Sequence, residues 1–295
     1  MARPRVALLG LGIMGGGMAG RLLGAGFPLT VYNRSRGRAD ALASGGAQVA
    51  STPREAAAGA DIVLSMVADD EASRAAWLGE NGALAGVAPG TVLVESSTVT
   101  VGWIRDLERE AGAKGCELLD APVTGTRPHA AAGELVFLVG GAASTLERVR
   151  DALAAMSRLI VHVGPSGSGA RLKLINNVMA AVQAASFAEA LALVEKSGLD
   201  RDAAIDVLTN GAPGSPVVKT MAARMTGREY DPPNFALRLM AKDIRYAMQE
   251  AAQHAVAFET AAATLGVFER AIAAGHADED FSAIVEPLRA AAVNR

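Results

Sequence analysis

The first half of the chain alternates short apolar runs with longer stretches in which apolar residues recur every three or four positions. The runs predict strands at Arg5–Leu9, Leu29–Tyr32, Ile62–Ser65, Val92–Glu95, Glu117–Ala121, Val136–Val139 and Ile160–His162. The stretches between them predict helices at Ile13–Leu23, Arg36–Ser44, Pro53–Gly59, Ser73–Trp77, Val101–Ala111 and Ser144–Ala155. Strands alternating with helices of this length build βαβ units, so a parallel, doubly wound sheet with helices on both faces is expected over residues 1–163. Turn residues at Gly24, Pro89-Gly90 and Gly140-Gly141 punctuate the same units.

After Gly164-Pro165 the period changes. Gly169–Lys196 is apolar at helical spacing without a proline, which predicts one long helix ended by Ser197-Gly198. Further helices are predicted at Asp202–Leu208, Pro216–Met225, Leu237–His254, Thr260–Ala274 and Phe281–Val293. The chain is therefore expected to be α/β, an N-terminal Rossmann domain followed by an all-α domain over residues 164–295. A helix as apolar as Ala180–Val194 needs cover on most sides, in a core or at a subunit interface.

The sharpest local signal is Gly10-Leu11-Gly12-Ile13-Met14-Gly15, directly after a predicted strand and opening a predicted helix. In that setting Gly10 permits the turn, Gly12 lets the backbone approach a pyrophosphate, and Gly15 lets helix and strand pack closely. Gly16 and Gly17 soften the first helical turn and have no evident function. An NAD site commonly places a carboxylate about 20 residues further on. Here the second strand ends in Val31-Tyr32-Asn33-Arg34-Ser35, with no acid. Arg34 can fork onto a ribose phosphate with Ser35 as a further donor, and Arg36 and Arg38 add positive charge. NADP(H) is expected over NAD(H), which the residues do not exclude; the competing reading is a solvated basic turn.

Composition removes other classes. A hydrophobic share of 51% is that of a globular chain, and a net charge of -3 offers no field for nucleic acid or an anionic membrane. Cys116 is the only cysteine and the four histidines are scattered, so neither a disulfide nor a structural metal is expected. The opening Arg3–Gly10 reads as a buried strand rather than a secretion signal, because glycines interrupt it, and a cytoplasmic protein without a membrane span is expected.

Two segments carry candidate chemistry. Asp120–Arg127 ends a predicted strand in Thr124-Gly125-Thr126, placed to offer hydroxyls and amides to a carboxylate, or else a plain surface turn. In Gly167–Asn177, Lys173 and Asn177 stand four apart and share a helical face. Lysine changes protonation when its surroundings require it, and asparagine holds an oxygen without competing for the proton; alone, Lys173 also reads as a snorkelling side chain.

Four blocks in order, Gly10–Ala19, Asp120–Gly125, Gly167–Asn177 and Phe235–Asp243, resemble the β-hydroxyacid dehydrogenases, the family of 3-hydroxyisobutyrate dehydrogenase and tartronate semialdehyde reductase. The resemblance implies Lys173 as the catalytic residue and Thr124, Gly125 and Asn177 as substrate ligands. It implies cofactor contacts at Gly10, Leu11, Gly12, Ile13, Met14, Gly15, Asn33, Arg34, Ser35, Met66, Val67, Thr98 and Lys242. Thr124-Gly125-Thr126 stands where many members have Ser-Gly-Gly, and Val67-Ala68 where Leu-Pro is usual; the first departure is similar to the glyoxylate and succinic semialdehyde reductase branch. In that branch Arg127 would meet a distal acid, unless it is simply solvated. The expected reaction is hydride transfer with a small carboxylate-bearing aldehyde or 3-hydroxyacid, in a homodimer or homotetramer. The rivals are an imine reductase on the same fold and a non-catalytic dinucleotide-binding protein.

Overall fold

The computed structural model describes residues 3–290. In chain order it comprises β1 (Val6–Leu9), α1 (Ile13–Gly24), β2 (Leu29–Tyr32), α2 (Arg36–Ala43), β3 (Gln48–Val49), α3 (Pro53–Ala57), β4 (Ile62–Ser65), α4 (Asp70–Trp77), β5 (Val92–Glu95), α5 (Val101–Ala113), β6 (Glu117–Asp120), β7 (Val123–Thr124), α6 (Arg127–Ala132), β8 (Leu135–Gly140), α7 (Ala143–Ala154) and β9 (Ser157–Gly164). Helices follow: α8 (Ser168–Ser197), α9 (Arg201–Asn210), α10 (Pro216–Gly227), α11 (Leu237–Gln253), α12 (Glu259–Ala273) and α13 (Glu286–Ala290). Two compact units divide the chain, Met1–Lys173 and Leu174–Arg295, so the first turn and a half of α8 groups with the first.

In the first unit the strands lie in the order β3-β2-β1-β4-β5-β6, all parallel, the order of dinucleotide-binding sheets. The period of two sorts their side chains onto two faces. Leu8, Val31, Leu64, Val94 and Leu119 pack with Met18 and Leu22 of α1 and Leu146 and Leu153 of α7. Ala7, Leu9, Val63, Leu93 and Leu118 pack with Trp77 of α4 and Ile104 and Leu107 of α5. Each fully buried leucine here contributes about 1.5–3 kcal/mol. The sheet is mostly rather than wholly parallel: β8 runs antiparallel to β6 and β7, and β9 is parallel to β8.

The second unit is helical, built on α8. Leu174, Ala181, Ala184, Ala188 and Leu191 are buried against Met221 and Met225 of α10, Met240 and Ile244 of α11 and Phe268 of α12. By length and composition alone α8 could cross a bilayer, but more than half of its most apolar stretch is buried within the protein. The small alanines let neighbouring helices approach it closely.

The expected last helix, Phe281–Val293, is replaced by two elements. Phe281–Val285 forms a 3-10 turn whose first residues are held by Asp280, which accepts from the Ser282 amide, and α13 starts afresh at Glu286. Pro287 has no N–H to return to the Ala283 carbonyl, so a single helix cannot run through. The remainder of that expectation, to Val293, lies outside the described residues. The short β3, β7 and α6 are additions to the sequence reading.

Candidate active site

The carboxyl ends of the parallel strands gather most of the residues singled out from the sequence. Gly10 follows β1 at φ +95, a conformation that favours glycine, and a Cβ there would stand 2.3 Å from the Met66 carbonyl oxygen. A Cβ on Gly15 would stand 2.0 Å from the Gly10 carbonyl oxygen, so α1 presses directly on the turn. Gly12 caps α1 with no side-chain hydrogen bond, and the first turn, Ile13 and Met14 included, contains no acid. The positive end of α1 thus has neither a capping side chain nor a first-turn acid to compensate it, which leaves it suited to an anion. The Leu11 amide donates to Asn33 Oδ1 at 2.8 Å, and Asn33 Nδ2 donates to the Ser35 carbonyl at 2.8 Å. Asn33 is therefore a brace between the end of β2 and the glycine turn.

Arg34 and Ser35 are exposed. Arg36 is engaged with Asp40 at 3.5 Å, whereas Arg38 turns back towards the glycine turn, its Nη1 being 4.0 Å from where a Cβ on Gly12 would lie. Beyond β4, the half-buried Val67 donates its amide to Ser97 Oγ at 2.8 Å, and Thr98 follows on the neighbouring loop. These turns fit a dinucleotide: close-packed glycines, a helix start with no side-chain cap and the exposed Arg38 lie beside the β1–β4 switch point, where such sheets bind ligands.

Two buried carboxylates at neighbouring strand ends organise these loops, and the sequence reading gave neither a role. Glu95, fully buried at the end of β5, accepts from Ser73 Oγ at 2.5 Å, Trp77 Nε1 at 2.7 Å and the Ser97 amide at 2.8 Å. Burial pushes its carboxyl above the usual range, against the opposing effect of these donors. Through Ser97 it fixes the Val67 amide. Asp120, its register partner on β6, is also fully buried. It accepts from the Gly167 amide at 2.8 Å and the Ala170 amide at 2.7 Å, and burial raises its carboxyl to about 6. The available signal was an acid directly after an apolar run, Glu95 after Val92-Leu93-Val94 and Asp120 after Leu118-Leu119.

Thr124 lies on β7, and Gly125 follows at φ +124 with space for a Cβ limited by Leu135 and His129. The Thr126 amide donates to His129 Nδ1 at 3.2 Å, which starts α6; Arg127 is exposed. A Cβ on Gly17 would meet the Ala130 carbonyl carbon at 2.9 Å, so Gly17 is where α6 rests on α1. This corrects the reading of Gly17 as a residue without function.

Lys173 is half-buried in α8, one helical turn before Asn177. In the second unit Asn177 is buried, accepts from Asn176 Nδ2 at 3.1 Å and donates through Nδ2 to Asp243 Oδ2 at 2.6 Å. Lys242 Nζ lies 3.0 Å from Asp243 Oδ1 and 4.9 Å from the centroid of the Tyr246 ring. Asp243, fully buried, thus orients both Asn177 and Lys242; it is a further residue the sequence reading did not select. Among the described residues no cluster of three or more His, Cys, Asp or Glu side chains is arranged for a metal.

Comparison with known proteins gives these sites a family. Residues 5–164 match the NAD-binding domain of 6-phosphogluconate dehydrogenase, and residues 167–288 match the NAD-binding domain of NADP-dependent 3-hydroxyisobutyrate dehydrogenase. The chain belongs to the β-hydroxyacid dehydrogenase family. It is an oxidoreductase that binds a nicotinamide dinucleotide and acts on a hydroxyl group or the corresponding carbonyl. An NAD-dependent L-serine dehydrogenase of Pseudomonas aeruginosa is 35% identical over 95% of this chain and 96% of its own. The chloroplastic glyoxylate/succinic semialdehyde reductase 2 of Arabidopsis thaliana is 35% identical over 97% of this chain and 80% of its own. The structure of Mycobacterium tuberculosis 3-hydroxyisobutyrate dehydrogenase with L-serine superposes with a TM-score of 0.87 at 34% identity, covering 97% of this chain and 99% of that one. An imine reductase from Pseudomonas sp. shares the fold alone, at 20% identity over 96% of this chain and 99% of its own, with a TM-score of 0.60.

Proposed function

We propose that this β-hydroxyacid dehydrogenase is NADP(H)-dependent and interconverts a small carboxylate-bearing aldehyde with its hydroxyacid. The substrate class is that of 3-hydroxyisobutyrate, tartronate, glyoxylate and succinic semialdehyde. The observation that carries the reading is Lys173 one helical turn from an asparagine with a fixed amide. With Asn177 Oδ1 taken by Asn176 and one Nδ2–H taken by Asp243, the side chain has a single N–H left to donate. Such a donor suits a carboxylate or hydroxyl oxygen.

A bound nicotinamide would supply or accept the hydride. The ammonium of Lys173 stabilises charge growing on the carbonyl oxygen and donates the proton to it; in oxidation the neutral amine takes the hydroxyl proton. Thr124 Oγ1, the Gly125 amide and Asn177 hold the substrate carboxylate, fixing the reacting carbon in place. The glycine turn and the positive end of α1 would hold the pyrophosphate, and Met66, Val67, Thr98 and Lys242 would be further cofactor contacts. Arg34 and Ser35 take the ribose phosphate, with Arg38 as the second cation.

The enzyme works as a homodimer or homotetramer. Leu172, Ile175, Met179 and Leu193 of α8 are 36%, 42%, 60% and 68% exposed and fall on one stripe at helical spacing, which supports a subunit contact. The test of function is a cofactor-oxidation panel over short semialdehydes and 2-oxo acids, with NADH and cyclic imines in parallel. Turnover of an aldehyde acid, faster with NADPH, is the expected result. A protein that binds NADPH yet consumes it with no aldehyde acid, or with cyclic imines alone, would overturn the proposal.

A further inference from the structure

Asp120 stands at an unusual junction within the first unit. Its strand, β6, leads through Ala121-Pro122 to Thr124 and Gly125. Its carboxylate spans the start of α8, one oxygen on the Gly167 amide at 2.8 Å and the other on the Ala170 amide at 2.7 Å. The Gly169 amide faces the same group. The surroundings are cut to fit it. A Cβ on Gly140 would stand 2.4 Å from Asp120 Oδ1. A Cβ on Gly169 would stand 3.0 Å from Asp120 Oδ2 and 2.2 Å from the Leu138 carbonyl oxygen. A side chain at either glycine would displace the carboxylate or lift the helix. Gly167 holds φ +87, which turns its amide onto the carboxylate.

We propose that Asp120 is a positioning residue for Lys173: by clamping the first amides of α8 onto the end of β6, it fixes the lysine relative to the strand that carries the Thr124-Gly125 loop. Lys173 lies three residues beyond Ala170, about 4.5 Å further along the helix axis. A helix transmits a displacement of its first turn along its length, so the lysine moves with the clamp. An error of about 1 Å in a reacting group costs up to about 100-fold in rate. The inference rests on the reading of Lys173 as the proton donor and adds the residue that sets its place.

The test is a double-mutant cycle on the full-length enzyme with D120N, K173A and the double variant, measuring kcat, the KM of the aldehyde acid and the dissociation constant of NADPH. D120N keeps the shape of the side chain but turns an NH2 group on one of the two amides. The expected kcat of D120N is about 10- to 100-fold below wild type, with NADPH affinity unchanged within about twofold. In the K173A background the same substitution is expected to change residual turnover by less than about twofold, because residues acting as a unit are non-additive. A merely structural role would multiply through both backgrounds, and that result, or a D120N enzyme with wild-type kcat, overturns the inference while leaving the lysine assignment intact. K173A with near-normal turnover would remove the lysine assignment and the inference together, and is read from the single variant alone. If D120N does not fold, Asp120→Ser, smaller and still presenting one acceptor, goes through the same cycle with the same criteria.

Discussion

Replacing Gly17 by alanine should weaken the first unit, although alanine is the better helix former. Removing a glycine from a helix interior gains about 1 kcal/mol. At Gly17, however, the new Cβ would stand 2.9 Å from the Ala130 carbonyl carbon and 3.0 Å from the Ala131 amide nitrogen, both backbone atoms of α6. Overpacking of that kind costs about 1–3 kcal/mol, so the clash cancels or exceeds the gain. Gly20, three residues further along α1, has nothing within 4 Å of its would-be Cβ and serves as the control. Gly20→Ala should therefore stabilise by about 1 kcal/mol, with Gly17→Ala about 1–3 kcal/mol below it. Urea unfolding of both variants beside wild type reads the gap. Because α6 starts directly after the Thr124-Gly125-Thr126 loop, Gly17→Ala should also raise the KM of the aldehyde acid more than that of NADPH. If Gly17→Ala stabilised as much as Gly20→Ala, the close packing of α6 on α1 would be refuted.

Arg34→Ala should raise the KM for NADPH by about 10- to 100-fold, the worth of charge-assisted hydrogen bonds to a phosphate, with little change for NADH. An unchanged NADPH KM would end the NADP(H) assignment. Asp243→Asn removes the buried counter-charge of Lys242 and turns an NH2 group on either Lys242 or Asn177; a loss of about 3–5 kcal/mol in chemical denaturation, with a raised substrate KM, is expected, and wild-type values for both would contradict the network. Asp120 should link stability to pH. Its carboxyl is raised from 3.8 to about 6, chiefly by burial, so between about pH 4 and 6 the folded protein holds a proton that the unfolded chain has released. This contribution grows as pH falls through 6 and is lost as pH rises, and is worth about 3 kcal/mol in full. The stability of wild type relative to D120N should therefore increase from pH 7.5 to pH 4, with Glu95, whose carboxyl is also raised, common to both proteins. A pH-independent difference in urea unfolding would contradict the sign.

The strands read most clearly from the sequence are those buried on both faces. Val6–Leu9 is apolar throughout, and Ile62–Ser65 and Val92–Glu95 open with three apolar residues in succession; apolar residues without alternation mark a covered parallel sheet. Gln48–Val49 and Val123–Thr124 are only two residues long and partly exposed, so no period can mark them. The single helix expected at Phe281–Val293 shows a local rule overriding a pattern: the apolar spacing persists, but Pro287 forbids continuity. At the site, the glycines and Lys173 stood out because their types are unusual where they occur. Glu95, Asp120 and Asp243 did not, because a lone acid in a sequence looks like surface until its donors are known. Their partners are 1 to 66 positions away in the chain. Gly17 was misread for the same reason, its neighbour in α6 being over a hundred residues distant.

The central claim, that the amine of Lys173 delivers the proton, is tested most directly in a single turnover. Lys173→Ala, loaded with NADPH and mixed with glyoxylate or succinic semialdehyde in a stopped-flow instrument, reports hydride transfer through the loss of reduced-cofactor absorbance. NADPH affinity within about twofold of wild type, with the first turnover slowed about 100-fold or more, is the predicted outcome. A first turnover at wild-type speed would contradict it.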